Sequence, residues 1–419
     1  MANDTTNMTT PPAAEEKAIP VHARKRSPLT TALLGALVIV LVFAPFLFST
    51  LGQEIYIRIL AVIGLYIILA LGLNILVGYA GQLDFGRIAF YAAGAYAGMI
   101  IGMIVSKALP PSIAGLSFLF ALVAGVVGAV VLGFILSLAV LRLRGDYLTI
   151  VTLGFAEIVR VSAQNNILGL TGGSGGIPTA GKNLPPALGL EWLKYHTYVS
   201  FGDYSFTFSN NVYWYLVILL LVIVAIIITR RQENSRTGRA WAALKDDDIA
   251  ARAMGINTTK IKTSAIVMSS IWGGVAGALF AYYQGVVSPE SFVFFESILV
   301  LAIVVIGGMG STKGIIVGAI IIQGTPELIR AFAGPSGLPF VMWKLPLSQA
   351  AVAAVSNYRN LVLGLLMIVM MALRPDGIIP MVRPKRFLTT EAREKIEEVT
   401  EGLADSAVEG ELVEAGDAA

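Results

Sequence analysis

Long apolar runs, separated by short polar segments, dominate the sequence from about residue 29 onward. A helix that crosses the roughly 30 Å hydrocarbon core of a bilayer needs about 20 apolar residues. Ten runs reach or approach this length, near residues 31–50, 55–77, 87–106, 114–141, 147–168, 212–229, 263–284, 296–307, 314–332 and 359–373. None of them alternates between apolar and polar residues as a membrane strand does. The pattern predicts an all-α, polytopic membrane protein with about ten transmembrane helices.

Two glycine-rich segments interrupt this pattern. The first is GYAGQLDFGRIAFYAAGAYAG (residues 78–98), and the second is IGGMGSTKGIIVGA (residues 306–319). Each follows an apolar run, carries a charge among glycines and continues into a run with glycines four residues apart. Interrupted segments at corresponding places predict two related halves with a transport pathway between them. The alternative is that the glycines only permit close helix packing.

The first glycine-rich segment and its surroundings supply the candidate pathway residues, because glycines permit a break and amides offer polar contacts. These candidates are Asn74, Gly78, Gly81, Gln82, Asp84 and Gly86, and Glu157 is added from the fifth run. Ionisable residues inside spans are costly and need a reason. Asp84 and Arg87 are three residues apart, as are Glu157 and Arg160, so each pair could neutralise itself on one helix face. A structural ion pair and a solute contact remain open for both pairs.

Composition narrows the class of protein further. The chain is 56% hydrophobic and only 14% charged, with a mean hydropathy of +0.76, whereas soluble domains carry about 25% charged residues. It contains no cysteine and two distant histidines, His22 and His196. These counts exclude disulfides and thiolate chemistry, and they make a histidine-based metal site unexpected. We therefore expect no metal and no cofactor on this chain.

The charges predict how the chain is oriented. Under the ten-span count, the basic segments around residues 24–26, 142–144, 230–262 and 374–386 fall on one face. The loops at 169–211 and 331–358, which are poor in Lys and Arg, fall on the other. The positive-inside rule then places both termini and the loop 230–262 in the cytoplasm. The predicted organisation is an N-terminal tail (1–28), a permease domain (29–386) and an acidic tail (387–419).

The loop 230–262 contains SRTGRAWAALKDDDIAARAMGIN (residues 235–257), which predicts a short helix. Asp246 is the expected N-cap, Asp247 and Asp248 suit the helix dipole, and Gly255 is the expected stop. Such a two-turn helix cannot fold alone. It would either enter a groove on a partner protein or lie on anionic lipid. Its expected exposed face consists of Ile249, Ala250, Ala253 and Met254.

Several segments resemble a known family. The pattern Ala250-Ala251-x-x-x-Gly255 is similar to the "EAA" coupling motif of ABC importer membrane subunits, with Ile249 in place of the acid. More specifically, four segments resemble LivM-type permeases of branched-chain amino acid ABC importers: residues 72–96, 141–160 with 170–178, 238–257 with 288–314, and 373–380. Asp84 and Arg87 depart from the commoner family pattern, which has Ser-like and His-like residues there.

The resemblance implies a transport subunit of the bacterial inner membrane and not an enzyme. Its partners would be a LivH-like second permease, two cytoplasmic P-loop ATPases and a periplasmic or tethered solute-binding protein. The ATPases would bind ATP and Mg²⁺, since this chain has no P-loop motif. They would dock on Asp246, Asp247, Asp248, Ile249, Ala250, Ala251, Met254 and Gly255. The expected solutes are branched-chain or other aliphatic amino acids; importers of urea or short amides, and a stand-alone secondary transporter, are the alternatives.

Overall fold

The computed structural model describes residues 28–50, 54–110, 116–140, 143, 146–167, 169–178, 198–201, 204–207, 210–324, 359–374 and 377–381. Twelve α-helices lie in these ranges: α1 (Pro28–Thr50), α2 (Glu54–Asn74), α3 (Arg87–Ala108), α4 (Ser117–Val140), α5 (Asp146–Gln164), α6 (Asn210–Glu233), α7 (Arg236–Asp246), α8 (Asp248–Ala253), α9 (Thr258–Gln284), α10 (Phe294–Gly307), α11 (Thr312–Ala319) and α12 (Arg359–Leu373). The predicted tails at 1–28 (except Pro28) and 387–419 lie outside the described residues, as does the loop 331–358.

Five of the described helical segments are long and apolar enough to cross a membrane: Glu54–Tyr79, Arg87–Ala108, Ser117–Val140, Asn211–Glu233 and Thr258–Gln284. A helix also lies at each of the other five predicted positions. Among these, α10 has only 14 residues, or about 21 Å at 1.5 Å per residue, which is shorter than a bilayer core. The chain is therefore a predominantly helical, multi-pass membrane protein.

Short strands accompany the helices and were not predicted. Strand β1 (Ile177–Pro178) pairs antiparallel with β4 (Val286–Val287), which follows α9 directly. Strands β2 (Tyr198–Phe201) and β3 (Tyr204–Thr207) form a second antiparallel pair. Both pairs lie in connections between helices, so they leave the helical architecture unchanged.

Helices α3, α4 and α9 form the tightest part of the core, and glycines allow their close approach. A β-carbon at Gly94 of α3 would lie 2.6 Å from the Gly274 Cα of α9. A β-carbon at Gly274 would in turn lie 2.6 Å from the carbonyl oxygen of Gly125 on α4. Backbone meets backbone at this crossing, so the packing interpretation applies to Gly94.

Candidate functional site

The first glycine-rich segment does interrupt the helix. The last turn of α2 widens into a π-helical turn (Ile75–Tyr79), and residues 80–86 are irregular before α3 begins at Arg87. The amide of Gln82 donates to the Leu76 carbonyl over 2.9 Å. Gly81 has φ +68°, a left-handed conformation that glycine adopts without steric cost. We call residues 75–86 the first break.

The second glycine-rich segment also separates two helices, and it touches the first. The connection between α10 and α11 (residues 308–311, the second break) places the Gly310 amide 2.7 Å from the Asn74 Oδ1, to which it donates. Asn74 is fully buried. A β-carbon at Gly78 would lie 2.6 Å from the Gly310 nitrogen, so only a glycine permits this approach. The two segments that sequence patterning paired are therefore in direct contact.

Residues 377–381 close the same region. The amides of Ile378 and Ile379 donate to the carbonyls of Ile306 and Gly307 over 2.9 Å and 3.1 Å. These are carbonyls of the last turn of α10, which have no partner within their own helix. The chain thus returns, after α12, to cover the second break.

Asp84 and Arg87, for which an ion pair on one helix face was one of two possibilities, form no direct ion pair with each other, although their charges interact. Asp84 lies in the irregular segment, where its Oδ1 accepts from the Gly86 amide over 2.7 Å. Arg87 is fully buried, and its Nη1 donates to the carbonyl and the hydroxyl of Ser269 on α9, both at 2.6 Å. The helix begins only at Arg87, so the two residues do not share a helix face. Arg87 instead joins α3 to α9, whose Ser269 hydroxyl donates to the Gly72 carbonyl of α2 over 2.8 Å.

The other pathway candidates lie at two locations, the first break and helix α5. Gly81 and Gln82 line a cavity of about 370 Å³ between the first break and the segment containing α7 and α8. Gly86 packs on α5, since a β-carbon there would lie 2.7 Å from the Thr152 carbonyl. Glu157 lies five residues further along α5, and its side chain is 48% exposed. The structure therefore groups the candidates of the first break and leaves Glu157 apart from them.

Glu157 forms the predicted ion pair with Arg160, through two guanidinium nitrogens. Glu157 lies about 16 Å along α5 from its first residue, Asp146, at a rise of about 1.5 Å per residue. The neighbouring Gly154 has no atom within 4 Å of its β-carbon position. The outward face of α5 thus combines an exposed ion pair with a glycine.

The segment 230–262, predicted to be cytoplasmic, contains two short helices where one was predicted, which corrects the role predicted for Asp246. Asp246 is the last residue of α7, and Asp247 is the N-cap of α8. The Asp247 Oδ1 accepts from the amides of Ile249 and Ala250 over 2.7 Å and 3.1 Å. Gly255, with φ +80°, follows the end of α8, as its predicted role as a stop requires.

Helix α8 presents apolar side chains to the exterior. Ile249 is 69% exposed and Met254 is 82% exposed, and Ala250 is exposed between them. Ala251 is only 4% exposed, so it faces the protein and cannot contribute to an outer contact surface as predicted. Asp248 accepts from Arg252 and from Lys262 of α9, each at 3.2 Å, which fixes α8 to the start of α9.

Helix α7 connects α8 to the first break, and sequence reasoning missed the residues involved. The Lys245 ammonium donates to the Gly78 carbonyl over 2.8 Å. A second contact comes from α6: the Tyr79 hydroxyl lies 3.3 Å from the carboxylate of Glu233, the last residue of that helix, and donates to it. Lys245 was one of several basic residues in the loop, and nothing in its spacing distinguished it. A contact across 167 residues of sequence leaves no local signal.

The described residues contain no group of three or more metal-ligating side chains that could hold a metal ion. This region consists of two helix breaks, a covering segment and an exposed short helix, which hydrogen bonds connect.

Comparison with known proteins identifies the class. A family model described as "Branched-chain amino acid transport system / permease component" matches residues 55–371. The chain belongs to this family. The permease is 41% identical to the "High-affinity branched-chain amino acid transport system permease protein LivM" of Salmonella typhimurium, over 84% of this chain and 75% of that protein. It is 41% identical to LivM of Escherichia coli K12, over 77% and 69% of the two chains.

A more distant similarity extends to a second type of permease. LivH of Escherichia coli K12 is 25% identical over 75% of this chain and 91% of LivH. No solved structure matches the permease.

Proposed function

We propose that this permease is the membrane-spanning subunit of an ATP-driven importer that moves branched-chain amino acids across a bacterial inner membrane. Its ten spans would form two related halves, with both termini in the cytoplasm, flanked by the polar tails 1–28 and 387–419. The similarity to the two LivM proteins supports the solute class. The single observation that carries the mechanism is the exposed helix α8, whose neighbouring helix α7 is hydrogen-bonded to the first break, which in turn lies against the second break.

Helix α8 is suited to dock a cytoplasmic ATPase. Its exposed Ile249 and Met254 are large apolar side chains at the polar end of the bundle, and a short helix with such a face fits a groove on a partner. Burying each of them would contribute about 1.5–3 kcal/mol. Asp248 of α8 accepts a hydrogen bond from Lys262 of α9, so a movement of α8 would be transmitted to α9. Two ATPases that bind ATP and Mg²⁺ would each hold one such helix, the second belonging to the other permease.

The outward face of α5 is the surface that a LivH-like second permease would cover. The outward residues of α4 are all apolar, as lipid requires: Leu119, Phe120, Val123, Val127, Val131, Phe134, Ile135 and Leu138. On α5 the exposed Glu157–Arg160 pair would cost several kcal/mol against hydrocarbon. Protein or a water-filled pathway on this side removes that cost. This supports Glu157 as a residue of the pathway between the two permeases.

Transport would then proceed by alternating access. ATP-driven closure of the ATPases would move α8, and Asn74 together with the first break (Gly78, Gly81, Gln82, Asp84 and Gly86) would reorient beside it. A solute-binding protein would deliver the amino acid from the opposite side.

Co-purification tests the docking site. This chain carries an affinity tag and is co-expressed with the second permease and both ATPases. The complex is then purified in mild detergent through the tag. The variant Ile249→Asp/Met254→Asp should lose the ATPases and keep the second permease. Leu373→Asp is the matched control, because Leu373 is 75% exposed at the end of α12, a different helix from both proposed contact surfaces, and it should keep both. Retention of the ATPases by the double variant would contradict the proposed dock.

A further inference from the structure

Lys245 contacts the first break through both its ammonium group and the aliphatic part of its side chain. Its ammonium donates to the Gly78 carbonyl over 2.8 Å. Its aliphatic part lies against Gly81, where a β-carbon would be only 2.8 Å from the Lys245 Cγ. The absence of a side chain at Gly81 is therefore what allows α7 to lie directly on the break.

On the side of α8, Lys245 belongs to a helix, α7, that is hydrogen-bonded to α9. Trp241, one turn earlier in α7, is buried, and its indole nitrogen donates to the Ser264 hydroxyl of α9 over 3.0 Å. Only Asp246 separates Lys245 from Asp247, which caps α8. Lys245 is therefore connected to α8 through the chain and also through α9, whose Lys262 is bonded to Asp248.

On the side of the first break, the Gly78 carbonyl lies in the π-helical turn Ile75–Tyr79, which continues α2 and forms its C-terminal end. Unpaired carbonyls there carry partial negative charge, which an ammonium group complements. Four residues earlier, Asn74 accepts from the Gly310 amide of the second break. One continuous series of contacts thus runs from α8 through Lys245 and Gly78 to Asn74 and Gly310.

We propose that Lys245 is the positioning residue that transmits the movement of α8 to the two breaks. This inference rests on the proposed docking of an ATPase at α8 and adds the route by which docking is coupled to the pathway. In this role Lys245 would contact neither ATP nor solute. Its removal should therefore separate ATP hydrolysis from transport without abolishing hydrolysis.

The test uses the complete importer in proteoliposomes, with leucine uptake and phosphate release measured on the same sample. For Lys245→Met we expect normal ATPase assembly, hydrolysis within about twofold of the parent, and about tenfold less leucine per ATP, since the lost bond involves a charged group. Lys245→Arg retains the donor and should keep at least half of the coupling. Lys260→Met removes a lysine at the exposed start of α9 and should behave as the parent does.

An engineered disulfide supplies an independent arm, because the chain has no cysteine. A β-carbon at Gly81 would lie 3.2 Å from the Lys245 Cβ, a few tenths of an ångström below the usual range of about 3.5–4.5 Å in disulfides. The variant Gly81→Cys/Lys245→Cys should be uncoupled when reduced and recover coupling when oxidised, since the covalent bond replaces the hydrogen bond. Cysteine at Gly81 is strained by its φ of +68°, so the comparison is between the oxidised and reduced forms of the same variant, and it is used if Lys245→Met fails to assemble.

Two results overturn the inference: parental leucine per ATP in Lys245→Met, or no difference between the oxidised and reduced disulfide variant. Either result leaves the proposed function intact, provided the parent importer transports leucine. If the parent complex does not assemble with ATPases or does not transport, the proposed function itself is wrong.

Discussion

Replacing Gly94 by alanine tests whether α3, α4 and α9 form one inflexible core. The new methyl group would lie 2.6 Å from both the Cα and the carbonyl oxygen of Gly274. These are backbone atoms, which cannot rotate away as a side chain can. Helix α9 cannot retreat either, because it is packed on α4: a β-carbon at Gly274 would already lie 2.6 Å from the Gly125 carbonyl oxygen. Overpacking costs about 1–3 kcal/mol, and we expect the upper end of that range.

The assay is thermal unfolding of the isolated chain in detergent at a fixed scan rate, because unfolding of such proteins is often irreversible. A loss of about 3 kcal/mol should lower the apparent midpoint by roughly 3–4 °C for a chain of this length. Gly154→Ala is the matched control, since no atom lies within 4 Å of its β-carbon position. It should leave the midpoint unchanged or raise it slightly, as alanine favours helix. Equal midpoints for the two variants would refute the packing argument.

Three further predictions concern polar contacts. Ser269→Ala removes a hydroxyl that bonds the buried arginine of α3 and should cost about 1.5–3 kcal/mol. In Ser270→Ala, whose hydroxyl bonds only within its own helix, the thermal midpoint should change much less. Asn74→Leu leaves the amide of the second break without its acceptor, so hydrogen exchange at that amide should accelerate, and unchanged exchange would contradict the contact. Glu157→Gln and Arg160→Gln should each weaken co-purification of the second permease more than the double variant does, because each leaves one unpaired charge; equal effects would argue against a protein partner on this face.

The helices and the breaks were predictable from the sequence because their causes are local. Twenty apolar residues can satisfy their backbone in a bilayer only as a helix, and this rule located a helix at all ten positions. Gly81 permits the left-handed backbone that the first break contains. The stop at Gly255 follows from the same property.

The errors arose where two local solutions were available or where the partner was distant. Asp246 and Asp247 are both competent N-caps, and the length of α7, which the sequence did not predict, assigned that role to Asp247. Asp84 and Arg87 had compatible spacing, but Ser269, 182 residues away from Arg87, supplied a better-placed acceptor. Lys245 had no local signal at all.

The measurement that tests the central claim most directly is leucine uptake into proteoliposomes containing this chain with or without its proposed partners. With the second permease, both ATPases, the solute-binding protein and ATP present, we predict leucine accumulation that stops when ATP is omitted. With this chain alone, we predict no accumulation and no leak. Full-rate uptake by the chain alone, independent of ATP, would contradict the account.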